Sequence, residues 1–556
     1  MPIRGGHEAY ACFFVPTVFA SETEMNYQRG TWVSRTLALT LLVCSVMLGS
    51  AAWAQNNVLR VVPHSNLAVL DPIWTTAYMS RNHGYMIYDT LFGTDEKGKI
   101  KPQMVDSWTT SADGRLWTFK LRKGLEFHDG KPVTPEDVIA SLQRWGKRDA
   151  MGSALFQFVQ RMDSPAPDTF RIFLGEACGF LLEALAKPSS NVPFIMTKRV
   201  AETDPFKQIE EHIGSGPFVF KRDEFKPGDK AVYTKFAKYL PRSEPPSGST
   251  GGKQVYVDRV EWNLALRDAQ AQVGALQKGE VDIIEALGFD HYETVKKDSS
   301  LQIPVWSNVG LQYIARFNHL HKPFDDPKVR QAVIAAFAQE PFLRASVGVK
   351  ELYRTCYSMF YCGTPFGTTA GSDIQSKSNM KKAQELLKAS GYDGTPIVVM
   401  KPTDLASIQK LPDVAAQLLR QAGFKVDLQA MDWQTLVGRR AKKDAPDKGG
   451  WHMFLTAWQA HDVNNPISSP MMDSRGEKST WFGWATDAKL AELRNEFMRA
   501  TDEAGKKKLV EQIHVRAFEV GTHVPLGEYG QPVAARKNIS GFFVHNSNIY
   551  WNLKKN

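Results

Sequence analysis

Cysteine is scarce, five in 556 residues, and no Cys-x-x-Cys pair occurs, so zinc-ribbon chemistry lacks its ligands. Long apolar runs are scarcer: there is one, near the N-terminus, and the lack of a second excludes a polytopic membrane protein. Runs of five or six like charges are absent. The net charge of +9 is spread among interspersed acids and reads as a solvated basic surface, not a nucleic-acid footprint. Neither a G-x-S-x-G elbow nor an H-E-x-x-H zinc helix is found. What remains is ordinary globular composition, 43% hydrophobic and 23% charged, enough for about three or four domain-sized units.

The one apolar run reads as a secretory leader. Arg29 and Arg35 supply positive charge, Leu37 to Leu48 the apolar core, and Ala52-Trp53-Ala54 a small-x-small cleavage site. The core is too short for a permanent anchor. Cleavage after Ala54 leaves Gln55 to Asn556 as an exported, soluble, periplasmic chain. Residues before Met25 fit nothing in a leader, which points to Met25 as the start, and Val43 before Cys44 is a poor match to a lipid-attachment site. Cys178, Cys356 and Cys362 survive cleavage. In an oxidising compartment Cys356 and Cys362 suit a short-loop disulfide, the alternative being two free buried thiols.

Patterning then changes along the chain. Trp117, Phe119 and Leu121 alternate with polar residues, predicting a half-buried strand entered from the Asp113-Gly114 turn. A helix follows with Thr134 as N-cap, Pro135 at its first position, and Val138, Leu142 and Trp145 on one face. Further on, Val414, Leu418 and Leu419 form a helix stripe that stops at Gly423. Phe424, Val426, Leu428 and Ala430 then alternate as a strand, an αβ unit of a mixed or parallel sheet. The pattern is that of two α/β lobes of unequal character.

Candidate catalytic motifs have plainer readings. Gly214-Ser215-Gly216-Pro217 reads as a tight turn, because the proline rules out a strand-to-helix elbow. Phe127-His128-Asp129-Gly130 reads as a turn with its imidazole satisfied by backbone. His452 and His461, nine apart, share no helix face and make a weak metal pair. The tract from Pro245 to Gly252 resembles a phosphate loop but has its glycines one residue too close, and Gln254 stands where Ser or Thr is needed. No enzyme activity, cofactor or metal is implied. An exported hydrolase and a chaperone-like interaction protein remain the readings from other classes.

An ordered series of segments carries more. It runs through Leu70-Asp71-Pro72, Ile87 to Phe92, Leu121-Arg122-Lys123-Gly124, Phe127 to Gly130, Pro132 to Val138, Gly214 to Phe218, Leu276 to Asp282, and Pro323 to Ala332. In order and spacing it resembles the dipeptide- and oligopeptide-type solute-binding proteins of bacterial ABC importers, extracellular family 5. The resemblance implies the type II periplasmic-binding-protein fold in its large dipeptide-binding variant, two lobes with two crossovers. Lobe I would hold 55–310 and 525–556, with an inserted subdomain at roughly 90–210, and lobe II 311–524. It also implies a monomeric receptor without chemistry of its own, closing by a hinge over a di- or oligopeptide and delivering it to inner-membrane permease subunits. An oligosaccharide, an opine-like compound or a metal complex is the alternative ligand.

The resemblance also proposes site residues. Relatives hold a ligand ammonium with an Asp in W-x-x-D-x-x-D-P. Here the stretch from Trp458 to Pro466 displaces that acid to Asp462 and has Asn465 in place of the second. Asp462 is thus an ammonium partner or, alternatively, a turn cap. An Arg-Pro-Tyr of relatives, facing the ligand carboxylate, corresponds to Lys401-Pro402-Thr403, where lysine lacks the planar fork and a solvated surface position is the simpler reading. Trp433, Trp458, Trp306, Trp74 and Tyr78 are candidate walls, with core packing the alternative for each.

Overall fold

The computed structural model describes residues 57–306, 310–500, 502–545 and 547–556. The leader, its cleavage site and the alternative start at Met25 lie outside the described residues. Asn56–Asn556 forms one compact unit.

Two mixed sheets organise it. In the first, seven strands run in the order Phe218–Phe220, Lys230–Lys235, Arg259–Asn263, Val58–Val62, Ile283–Ile284, Ala534–Arg536, Leu301–Gln302. Val58–Val62 lies parallel to both Arg259–Asn263 and Ile283–Ile284, and Leu59, Val61 and Trp262 are fully buried while Arg60, on the opposite face of its strand, is exposed. The crossover helix Ala269–Lys278 starts where the Asp268 carboxylate accepts from Ala271 N and stops at Gly279, whose φ of 77° a side chain would strain.

The second sheet has six strands, in the order Tyr353–Arg354, His523–Tyr529, Leu311–Phe317, Met453–Gln459, Ile397–Pro402, Val426–Met431. The predicted αβ unit is here: helix Leu411–Ala422 ends at Gly423 (φ 102°) and leads into Val426–Met431, parallel to Ile397–Pro402. Its buried stripe is Leu411, Ala415, Leu419 and Ala422, while Val414 and Leu418 sit on the flank. The chain passes from the first sheet to the second between Gln302 and Leu311 and returns between Tyr529 and Ala534. Residues 525–529, expected to begin the return to lobe I, instead pair antiparallel with Leu311–Phe317 in the second sheet, so the return starts at Gly530.

A separate antiparallel sheet, Val105–Thr110, Leu116–Leu121, Thr169–Leu174, Val159–Ala166, carries the strand predicted from Trp117, Phe119 and Leu121. Beside it, helix Pro135–Gly146 begins with the predicted Thr134 cap, strengthened to a capping box by Asp137. The Phe127–Gly130 segment is a turn, with Gly130 at φ 82°. His128 accepts from Gly214 N through Nδ1 and faces Gly216 O at 3.0 Å through Nε2. Both ring nitrogens are therefore held by backbone, and burial pushes the imidazole down to about 4. Lys253, after the glycine-rich tract, is buried in an ion pair with Asp89 at 2.7 Å.

Candidate functional site

Between the two sheets lies a cavity of about 350 Å³ whose walls come from both. The chain topology explains its place. His64 follows the end of Val58–Val62, Glu285 the end of Ile283–Ile284, Leu405 the end of Ile397–Pro402, and Trp433 the end of Val426–Met431. All four lie beyond the carboxyl ends of parallel strands, the general ligand position in open α/β sheets. Helix Tyr78–Ile87 adds Tyr78, Arg81 and Asn82, spaced i, i+3, i+4 and so presented on one face. A side cavity of about 110 Å³, sharing His64 and Ser407 with the first, reaches Arg267 and Lys410.

Hydrogen bonds cross between the sheets at the inner end. Tyr78 donates from its hydroxyl to Asp462 Oδ2 at 2.7 Å and accepts from Gln459 N at 2.6 Å. Arg81 Nη1 donates to Gln459 Oε1 at 2.6 Å and to Ser189 Oγ at 2.7 Å, and Ser189 donates to Asp462 Oδ2 at 2.8 Å. Burial raises the Asp462 carboxyl above the ordinary aspartate range, opposed by the Lys187 charge and the Tyr78 hydrogen bond. Burial and the Asp462 charge likewise raise the Tyr78 phenol well above its usual range. Glu285 behaves in the opposite way. Burial pushes it up, but the His64 ring at 2.9 Å, the Tyr550 hydroxyl and His64 N together hold it below its ordinary value.

The predicted site residues divide. Tyr78, Trp433 and Trp306 line the cavity, Trp306 also packing against Phe542 and Tyr550. Trp458 and Asp462 stand one layer back: Trp458 meets the Tyr78 ring edge-on at 6.3 Å, and Asp462 is reached only through the Tyr78 and Ser189 hydroxyls. Lys401 is held away by Asp413, both of whose carboxylate oxygens lie 2.7 Å from its Nζ. The Thr403 hydroxyl turns to Met431 O, Asn465 caps its own turn through Ile467 N and Ser468 N, and the Trp74 indole donates to Phe206 O. Sequence reasoning missed His64, Arg81, Asn82, Glu285 and Gln459. The spacing of Arg81 and Asn82 behind Tyr78 was the available signal.

Cys356 and Cys362 are joined in a disulfide, and Cys178 is a buried thiol. Among the described residues Cys356, Cys362 and Glu528 form the grouping closest to a metal-ligand set, and the disulfide consumes both thiols. The loop they close puts Tyr361 on the cavity wall. Behind it Glu528 accepts from Cys362 N and Arg354 Nε, yet burial pushes its carboxyl from an ordinary 4.5 up to about 7. The folded state therefore binds this proton more tightly than the unfolded chain, so the Glu528 contribution to stability is greatest below about 4.5 and is lost as pH rises to about 7. Glu528→Gln is expected to flatten that part of the profile in urea titrations between pH 5 and 8. An unchanged slope would assign the pH dependence elsewhere.

Comparison with known proteins agrees with this architecture. The family model described as "Bacterial extracellular solute-binding proteins, family 5 Middle" matches residues 99–480. The chain is 35% identical over 519 residues, 93% of its length and 96% of the relative's, to a probable peptide ABC transporter periplasmic-binding protein of Sinorhizobium fredii. In fold it is similar to the binding protein AgaA of A. tumefaciens in complex with agropinic acid, with a TM-score of 0.75 at 21% identity, covering 90% of this chain and 99% of that one. It is similar also to DppA of Helicobacter pylori in complex with the peptide STSA, with a TM-score of 0.74 at 19% identity, covering 90% and 98%. The two-lobed fold with a ligand-sized cavity between the lobes, together with these matches, identifies the chain as a member of the bacterial extracellular solute-binding proteins, family 5.

Proposed function

We propose that this protein is the exported receptor of an ABC importer, capturing a di- or oligopeptide between its lobes and passing it unchanged to inner-membrane permease subunits. The observation that carries the reading is the cavity itself, walled by both lobes and crossed by hydrogen bonds that exist only when the lobes meet. Ligand that touches both walls favours the closed form over the open one, which is all a receptor needs to report occupancy. The volume, about 350 Å³, lies at the small end of ligand pockets and suits a short peptide. The likeness to the probable peptide transporter binding protein of Sinorhizobium supports the peptide class and the transporter. In this reading the leader is removed after Ala54, the mature chain works as a monomer in the periplasm, and Tyr78, Trp433 and Trp306 contact ligand.

The same cavity also suits a non-peptide acid such as an opine, because Asp462 stands behind Tyr78 and not on the wall. Mass spectrometry of ligand released from natively purified protein tests the assignment. A di- or tripeptide is expected. A sugar or metal complex overturns the peptide class, and scattering curves unchanged by every candidate compound overturn the receptor.

A further inference from the structure

Lys401, the residue that the family resemblance assigns to a ligand carboxylate, is ion-paired with Asp413 and does not line the cavity. The buried cation that does line it comes from the other lobe. Arg81 is 3% exposed, its guanidinium lies 4.3 Å from the Tyr78 ring centroid, and no carboxylate among the described residues forms an ion pair with it. Its hydrogen bonds all go to neutral oxygens. Nε and Nη2 reach Asn82 Oδ1, and Nη1 reaches Ser189 Oγ and Gln459 Oε1, which leaves one Nη2–H uncommitted. Asn82 is 1% exposed on the same wall. Because the guanidinium fixes its Oδ1, its amide must present Nδ2, and that donor has no partner among the described residues.

We propose that Arg81 and Asn82 form the anion-recognition site of this receptor, the uncommitted Nη2–H and the Asn82 Nδ2 taking a carboxylate of the ligand. Glu285, the one acid among the cavity-lining residues, is engaged inside the protein by the His64 ring and the Tyr550 hydroxyl, whereas Arg81 keeps a donor free for the cavity. A charge held in a dry wall by neutral dipoles gains most from an arriving counter-charge, and the planar guanidinium suits a carboxylate's two oxygens. Carboxylate recognition thus sits on lobe I, on the helix that also bonds Gln459 of the opposite lobe. Ligand docked there stands beside the cross-lobe contacts. The ligand class that follows is an acid, with no requirement for a free amine.

This inference rests on the receptor reading, and the test separates the two. The dipeptide that most raises the melting temperature is compared by calorimetry with its C-terminal amide and its N-acetyl form. The acid is expected to bind about 10- to 100-fold tighter than the amide, acetylation to change little, and the acid-to-amide ratio to collapse toward one in Arg81→Gln and in Asn82→Asp. A ratio near one in the wild type, or an unchanged ratio in Arg81→Gln with both affinities lowered, overturns the proposal and makes Arg81 purely structural. If no dipeptide binds, the compound released from natively purified protein decides. An acid supports the site, and a neutral compound overturns it while leaving the receptor intact. A protein that closes on nothing overturns both.

Discussion

Asp71→Ala is expected to destabilise the protein by about 3–5 kcal/mol, the cost of leaving a buried charge without its partner. Asp71 is fully buried and accepts from Arg144 Nη2 at 2.8 Å, Ile209 N at 3.1 Å, and the Ile73 and Trp74 amides at 2.9 and 3.1 Å. Arg144 is equally buried, and its remaining hydrogen bond is to Lys207 O. The carboxylate ties the segment after Leu70 to helix Pro135–Gly146, and Asn191 Nδ2 fastens the same segment through the carbonyls of Pro72, Ile73 and Thr75. That segment leads directly into the helix bearing Tyr78, Arg81 and Asn82. Urea unfolding at pH 7 measures the loss. The double variant Asp71→Asn, Arg144→Met is expected to recover most of it, since no unpaired charge remains, whereas a single-variant loss below about 1 kcal/mol would show that the pair is not holding the segment.

Much of the fold is written in local signals. The Thr134 cap, the proline after it and the Gly423 stop each act over a few residues, and the structure uses each in the predicted way. The strand holding residues 525–529 shows where such reading runs out. His523–Tyr529 is buried along its whole length, and its sheet is chosen by pairing with Leu311–Phe317 some two hundred positions earlier. Nothing within seven residues says which lobe claims them.

The site was less legible, for a related reason. Lys401 lies in the last residues of the strand Ile397–Pro402, close to where the family pattern expects it, but Asp413 on the next helix captures it, a contact that depends on how helix and sheet pack. Arg81 and Asn82 read along the chain as ordinary polar residues of a short helix. Their importance comes from Gln459 on the opposite lobe, which turns the guanidinium into a buried group facing a cavity. Aromatic residues were easier to nominate than to place. Trp433 and Trp306 line the cavity, whereas Trp74 and Trp458 serve packing and hydrogen bonding around it.

Asp462 separates two mechanisms that one affinity measurement would confuse. It follows Trp458 in a single 3₁₀ turn, Ala460–Asp462, that aims the carboxylate at the Tyr78 and Ser189 hydroxyls of the opposite lobe. Each hydrogen bond to a charged acceptor contributes about 1.5–3 kcal/mol, and both exist only with the lobes together, so Asp462→Ala is expected to weaken capture by about 2–4 kcal/mol through the closing equilibrium. Such a loss falls equally on a peptide and its N-acetyl derivative, because neither needs to touch the carboxylate. Tyr78→Phe, which removes the bond to Asp462 and also the one accepted from Gln459 N, should produce a loss of similar size with the same indifference to acetylation. Direct ammonium binding predicts the opposite pattern: in Asp462→Ala, a loss confined to the free amine. Calorimetry on the two ligands with the two variants decides between them, and with it whether the closed form is held by the peptide's charge or by the protein's own contacts across the cleft.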